Sequence, residues 1–106
     1  MINSKLKGKV GELEFVKFLK DHGINARRGQ QYKGTPDSPD IISDLNNIHW
    51  EVKRTEHIQL YKYMKKAIED ASDIQIPVIA YRKNNEDWVC ILRAEDLLLL
   101  VRDEEE

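Results

Sequence analysis

The order in which the hydrophobic period switches along this chain is its strongest constraint on fold. From about Ser4 to Asp21 apolar residues recur at helical spacing, with Phe15, Val16, Phe18 and Leu19 on one arc, and His22-Gly23 supplies a left-handed stop. Residues 24–28 read as a short strand and 29–39 as a polar loop dense in turn formers. Ile41–Ser43 and Ile48–Arg54 then read as a strand pair around the turn Asp44-Leu45-Asn46-Asn47. A second helix is expected over 58–72, where Leu60, Tyr61, Met64, Ala67, Ile68 and Ala71 form the apolar face, with Tyr61 and Met64 as core residues. Pro77 opens a strand over 78–82, Asn84 to Asp87 turn the chain into a strand over 88–92, and a short helix over 94–101 precedes an acidic tail. The order α-β-β-β-α-β-β-α predicts an α/β fold, a central mixed sheet flanked by helices.

At 106 residues the chain is expected to form a single domain, 1–106, with a core of about 5–93 and a tail at 102–106. Cys90 has no partner for a disulfide. No run approaches the roughly 18 apolar residues of a membrane span, and the start Met-Ile-Asn-Ser-Lys-Leu-Lys lacks a secretory apolar region, so the expectation is a soluble intracellular protein without membrane partners. The net charge of −2 conceals a gradient: residues 1–34 hold eight Lys/Arg against three Asp/Glu, and residues 95–106 one Arg against six Asp/Glu. Such asymmetry fits a basic working face with a solvated acidic end, and ordinary surface charge fits it too.

Three residues break the pattern. Glu12 falls inside the apolar arc of the first helix, between Leu19 and Val16, with Gly8 one turn earlier. A buried carboxylate needs a partner or it protonates, so Glu12 has either a partner or an escape past Gly8 to water. Glu14 lies at the edge of the arc, where Lys17 is its expected partner. In the strand 48–54, Trp50 and Val52 share one face, the core face, while Glu51 and Lys53 share the other, a pattern that an exposed strand face also produces. Asp40 follows Ser38-Pro39 and opens an apolar strand, a place that a turn aspartate also takes.

The hairpin connects these residues. With Asp44 to Asn47 as a four-residue turn, Ser43 faces Ile48, and Asp40 lies across from Glu51 at about 5 Å between Cβ atoms, with Lys53 diagonal on the same face. Two carboxylates so opposed repel, which makes sense when a cation sits between them. Mg²⁺ is commonly held by one or two carboxylates plus water and substrate phosphate, so Asp40 and Glu51 supply the minimum and Glu12 a third acid. Lys53 is then placed to orient or deprotonate a water, or to neutralise charge developing on a phosphorus centre. The chemistry that uses this set is phosphodiester hydrolysis. His22, His49, His57 and Cys90 show no zinc-ligand spacing and read as structural or surface residues, and Trp50 and Trp88 read as core.

Pro39-Asp40 followed by Glu51-Val52-Lys53 resembles the signature of the PD-(D/E)XK nuclease superfamily. Lys7-Gly8-Lys9-Val10-Gly11-Glu12-Leu13-Glu14 is similar to the first-helix motif of its archaeal Holliday-junction-resolvase branch, in which the first Glu of such a pair is catalytic. The stretch from Arg28-Gly29-Gln30-Gln31-Tyr32 to Ser38-Pro39-Asp40 further resembles small phage-encoded resolvase-like nucleases. The resemblance spans about residues 5–93 and implies a restriction-endonuclease-like α-β-β-β-α-β core. It also implies Asp40 and Glu51 as ligands of Mg²⁺ or Mn²⁺, Glu12 as accessory acid, Lys53 as catalytic lysine, no organic cofactor, and work in the cytoplasm of a bacterial or phage-infected cell. Asp37, which also follows a proline, competes with Asp40 for the motif position, and Asp40 is preferred because it leads straight into the strand. The archaeal resolvases are more basic than this chain, with its pI of about 5.9.

Phosphate contacts are expected from Lys5, Lys7, Lys9, Arg27, Arg28, Lys33, Arg54, Lys62 and Arg82, with Gln30, Gln31 and Tyr32 beside them in the loop leading to Asp40. The run Leu97 to Val101 is more apolar than one helix face requires and is expected to cover part of a homodimer seam, since resolving a junction takes two active sites related by symmetry. The leading expectation is a metal-dependent endonuclease on branched DNA. A nuclease of single strands or flaps, and a non-catalytic DNA-binding module on the same fold, are the alternatives.

Overall fold

The computed structural model describes residues 4–29 and 39–104, with side chains over 8–29 and 39–102. Helix α1 (Ser4–Asp21) is followed by strands β1 (Ala26–Arg28), β2 (Ile41–Ser43) and β3 (Ile48–Arg54), helix α2 (Leu60–Asp70), strands β4 (Ile76–Arg82) and β5 (Val89–Ile91), and helix α3 (Ala94–Glu104). The strands form one sheet in chain order, β1-β2-β3-β4-β5. All neighbours are antiparallel except β3 and β4, which are parallel because α2 carries the chain back to the starting edge.

Helix α1 stops where the sequence places the stop. Gly23 takes φ +82°, its N–H donates to the Lys20 carbonyl at 3.0 Å, and the Ile24 N–H donates to the Leu19 carbonyl at 2.9 Å. These two bonds are a Schellman motif, and they explain why β1 begins later than expected: the Ile24 amide is committed to the helix cap rather than to the sheet. At the other end of the chain, α3 runs past Val101 into the acidic tail.

Strand β3 is covered on both faces, and alternation assigns its side chains. Trp50 and Val52 join Phe15, Val16, Leu19, Ile41, Val78 and Ala80 in a core under α1. Phe15 packs edge-on against Trp50 at 4.9 Å and, tilted, against Trp88 at 5.0 Å between ring centroids. A smaller cluster of Met64, Ala67 and Ile79 lies under α2. Ile41 pairs with Trp50, the register expected from the turn, so the ladder runs toward Asp40 and Glu51 as neighbours.

Two expectations fail here. Tyr61 is not core: it is 84% exposed. The buried arc of α2 leans toward Tyr63, which packs on the Met64 cluster, and this rotates Tyr61 and Ile68 outward on the opposite flank. Glu14 does not pair with Lys17, which bonds Asp21 at 2.8 Å. Its Oε1 instead accepts Arg54 Nε at 3.0 Å and Arg82 Nη1 at 3.3 Å, tying α1 to β3 and β4. On α3, Leu97, Leu98, Leu99 and Val101 are all exposed, while Asp96 is buried and accepts Arg93 Nε at 2.9 Å.

Candidate metal centre under helix α2

Asp40 reaches its place because two strand ends close on each other. The Gly29 N–H donates to the Asp40 carbonyl at 2.9 Å. Gly29 is buried, and a β-carbon there would overlap the Pro39 carbonyl oxygen, so only glycine permits this approach. The Asp40 side chain turns toward β3, where its Oδ2 accepts the Val52 N–H at 2.8 Å.

The electrostatics of Asp40 report what surrounds it. Burial pushes its carboxyl up from the usual range to about 7, and the negative charges of Glu51 and Glu12 push the same way. The Val52 hydrogen bond and the Lys53 ammonium pull it down without overcoming them. Glu12, Glu51 and Lys53 therefore all bear on Asp40, although they arrive from α1, from the middle of β3 and from its end. Glu12 has a protein partner as well: its Oε1 accepts Arg28 Nε at 2.9 Å.

Glu51 lies deep, 4% exposed, on the face toward α2. His49, on the same strand and the same face, is 3% exposed and puts Nε2 3.0 Å from Glu51 Oε1. From α2, Lys66 places Nζ 4.0 Å from Glu51 Oε2 and 3.0 Å from Asp70 Oδ2. Burial alone would lower the Lys66 ammonium, but the hydrogen bond to Asp70 and the fields of Glu51, Asp70 and Asp40 outweigh it and raise it. Among the described residues, His49, Glu51 and Asp70 bring one ligand atom each within 4.8 Å of one another. A cavity of about 510 Å³ lined by Pro39, His49, Glu69 and Asp70 opens beside them. Lys53, half-buried, lays its Nζ 4.3 Å from the centroid of the Tyr63 ring.

Glu51 thus belongs to the close cluster with His49 and Asp70 and also to the set expected from the sequence, in which Asp40 and Glu12 are linked to it through the charges felt at Asp40 and the three carboxylates do not gather as closely as that cluster does. Asp40, Glu51 and Glu12 offer oxygen only, the set suited to Mg²⁺ or Mn²⁺, and a divalent cation there would offset the burial and the Glu51 and Glu12 charges that raise the Asp40 carboxyl. His49, Glu51 and Asp70 add an imidazole, which favours Mn²⁺ or a softer ion over Mg²⁺, but Lys66 already brings positive charge to that set.

His49, expected as a structural or surface residue, and Lys66 and Asp70, which no motif marks, all lie beside Glu51. The signal for His49 was present, since the alternation that puts Glu51 and Lys53 on one face puts His49 there too. Of the expected phosphate contacts, Arg28, Arg54 and Arg82 are engaged in ion pairs with Glu12 and Glu14, while Lys9, Arg27 and Lys62 are exposed. Gln30, Gln31, Tyr32, Lys33 and Asp37 lie outside the described residues, as do the side chains of Lys5 and Lys7.

No protein-family model and no curated protein matches the chain. Among solved structures, the fold is similar to that of Hjc, a Holliday junction resolvase from the hyperthermophilic archaeon Archaeoglobus fulgidus, with a TM-score of 0.59. The match covers 76% of this chain and 72% of the resolvase at 18% sequence identity. The chain therefore has the resolvase-like α/β fold expected from its motifs.

Proposed function

We propose that this chain is a divalent-metal-dependent DNA endonuclease that acts on branched DNA. The observation that carries the reading is the setting of Asp40, a half-buried carboxyl raised to about 7 first by desolvation and then by the charge of Glu51, with Glu12 and Lys53 also within electrostatic reach. The likeness in fold to a Holliday junction resolvase supports the choice of substrate class.

Asp40 and Glu51 would hold Mg²⁺ or Mn²⁺, with Glu12 adding a ligand directly or through water. Held there, the ion would supply Lewis-acid polarisation of the scissile phosphate and activation of water. Lys53 orients the attacking water and balances the charge that builds on the phosphoryl oxygens. The water oxygen forms its bond to phosphorus in line with the breaking bond to the 3′-oxygen, leaving a 5′-phosphate. Lys9, Arg27 and Lys62 contact flanking phosphates, and the exposed apolar side chains of α3 meet a second copy so that two sites face one junction.

The test is cleavage of labelled four-way, flap, single-stranded and linear duplex DNA in Mg²⁺, in Mn²⁺ and in chelator. Wild-type protein is expected to cut the four-way junction only with metal, and Asp40→Asn and Lys53→Met to slow it by about 10³-fold. Wild-type rates from both variants would remove the assignment. Preferential cutting of flaps or single strands would move the substrate class, and retention of DNA without turnover by wild type would favour a binding module.

A further inference from the structure

We propose that Tyr63 is a positioning residue for Lys53, which makes α2 part of the cleavage machinery as well as a cover for the sheet; the inference rests on the role just assigned to Lys53. Helix α2 runs back along β3, and one row of its side chains lies over the polar row of the strand. Asp70 stands with His49 and Glu51, Lys66 beside Glu51, and Tyr63 against Lys53. Residues 63, 66 and 70 are spaced three and four apart, which is one helix row. The row is not visible in the sequence, where Lys66 and Asp70 merely fall between the apolar positions of the helix.

The contact suits the work asked of Lys53. A lysine ammonium rides on a flexible four-carbon stem, so a lysine that must meet a phosphate is ordered either beforehand or at the expense of binding. A carboxylate partner would order it but cancel its charge. An aromatic face holds the ammonium by its quadrupole and leaves the full positive charge for the oxygens of the reacting phosphate. The Nζ lies 4.3 Å from the Tyr63 centroid, within the range of such contacts. The ring is itself fixed, because it is half-buried and packs on the cluster of Met64, Ala67 and Ile79. It anchors Lys53 to the helix while Glu51, two residues earlier on the strand, is anchored by His49.

The experiment compares wild type, Tyr63→Phe and Tyr63→Leu on the four-way junction at saturating metal, with melting curves for each. Tyr63→Phe keeps the ring and is expected to hold kcat and KM within about twofold of wild type. Tyr63→Leu is expected to lower kcat about tenfold with KM within about twofold. Tyr63→Met, a flexible apolar side chain, serves as a second ringless variant and is expected to show the same split if Leu lowers the melting temperature. Independently of turnover, the Lys53 ε-methylene protons should resonate upfield in wild type and Tyr63→Phe and lose that ring-current shift in Tyr63→Leu. Wild-type kcat in both ringless variants, or no upfield shift in wild type, overturns this inference and leaves the nuclease reading standing. Absence of cleavage by wild type overturns the reading and this inference with it.

Discussion

The two faces of β3 are built to opposite specifications. Toward α1, Trp50 and Val52 meet an apolar layer with three aromatic contacts on Phe15, and the charges there, Glu14 with Arg54 and Arg82, are paired at the edge. Toward α2, His49 and Glu51 are as deeply buried as the core, yet among the described residues the buried part of the apolar cluster there is just Met64, Ala67 and Ile79. Because alternate side chains of one strand face opposite ways, a single seven-residue segment supplies both. Stability and chemistry therefore reside on opposite faces: the α1 face holds the fold well enough for the α2 face to keep carboxylates that repel each other.

The sharpest way to break that division is Phe15→Ala. Phe15 is 1% exposed and sits at the centre of the α1 core, so truncation is expected to cost about 3–5 kcal/mol. In a domain of this size that lowers the melting temperature by well over 10 °C, about 4–8 °C per kcal/mol. A drop of only a few degrees would mean that the α1 face is not the seat of stability.

The next largest effect belongs to Asp40 in metal-free protein. Its folded pKa of about 7 lies above the value of 3.8 that an unperturbed aspartate has, so between these values the folded chain binds more protons than the unfolded chain. Stability is therefore greatest below pH 4 as far as this group is concerned and falls as pH rises toward 7, by a few kcal/mol in all. Asp40→Asn, which keeps an acceptor for the Val52 amide, should remove that slope and melt higher than wild type at neutral pH. Parallel pH profiles for the two proteins would contradict a strained α2 face.

Gly29→Ala probes how the acid is delivered. Its β-carbon would overlap the Pro39 carbonyl, so the β1–β2 closure must open, at a cost of about 1–3 kcal/mol. Cleavage is expected to fall further than the melting temperature suggests, because Asp40 moves with Pro39. Tyr61→Ser should do least: the ring is 84% exposed, and the change is expected to stay within about 0.5 kcal/mol in chemical unfolding.

What the sequence disclosed was local or periodic. The Gly23 stop, the arc of Phe15, Val16 and Leu19, and the hairpin register that places Asp40 beside Glu51 depend on spacing over a few residues. Spacing also revealed Glu12 as an acid on an apolar arc, though not that Arg28 would be its partner across 16 residues. What stayed hidden needed the azimuth of a crossover helix. Nothing in the spacing of α2 states that Tyr63 rather than Tyr61 turns inward, and with that choice come the contacts of Lys66 and Asp70 with Glu51. The partners of Glu14 lie 40 and 68 residues away, Arg54 and Arg82, beyond any reading by period.

Calorimetric titration of Mn²⁺ into wild type, Asp40→Asn, Glu51→Gln and Asp70→Asn at neutral pH addresses the centre of this account most directly. Saturable binding is expected in wild type, weakened about tenfold or more by Asp40→Asn and by Glu51→Gln, and changed little by Asp70→Asn. Undiminished binding in Asp40→Asn, or no binding in wild type, would contradict a metal held between Asp40 and Glu51.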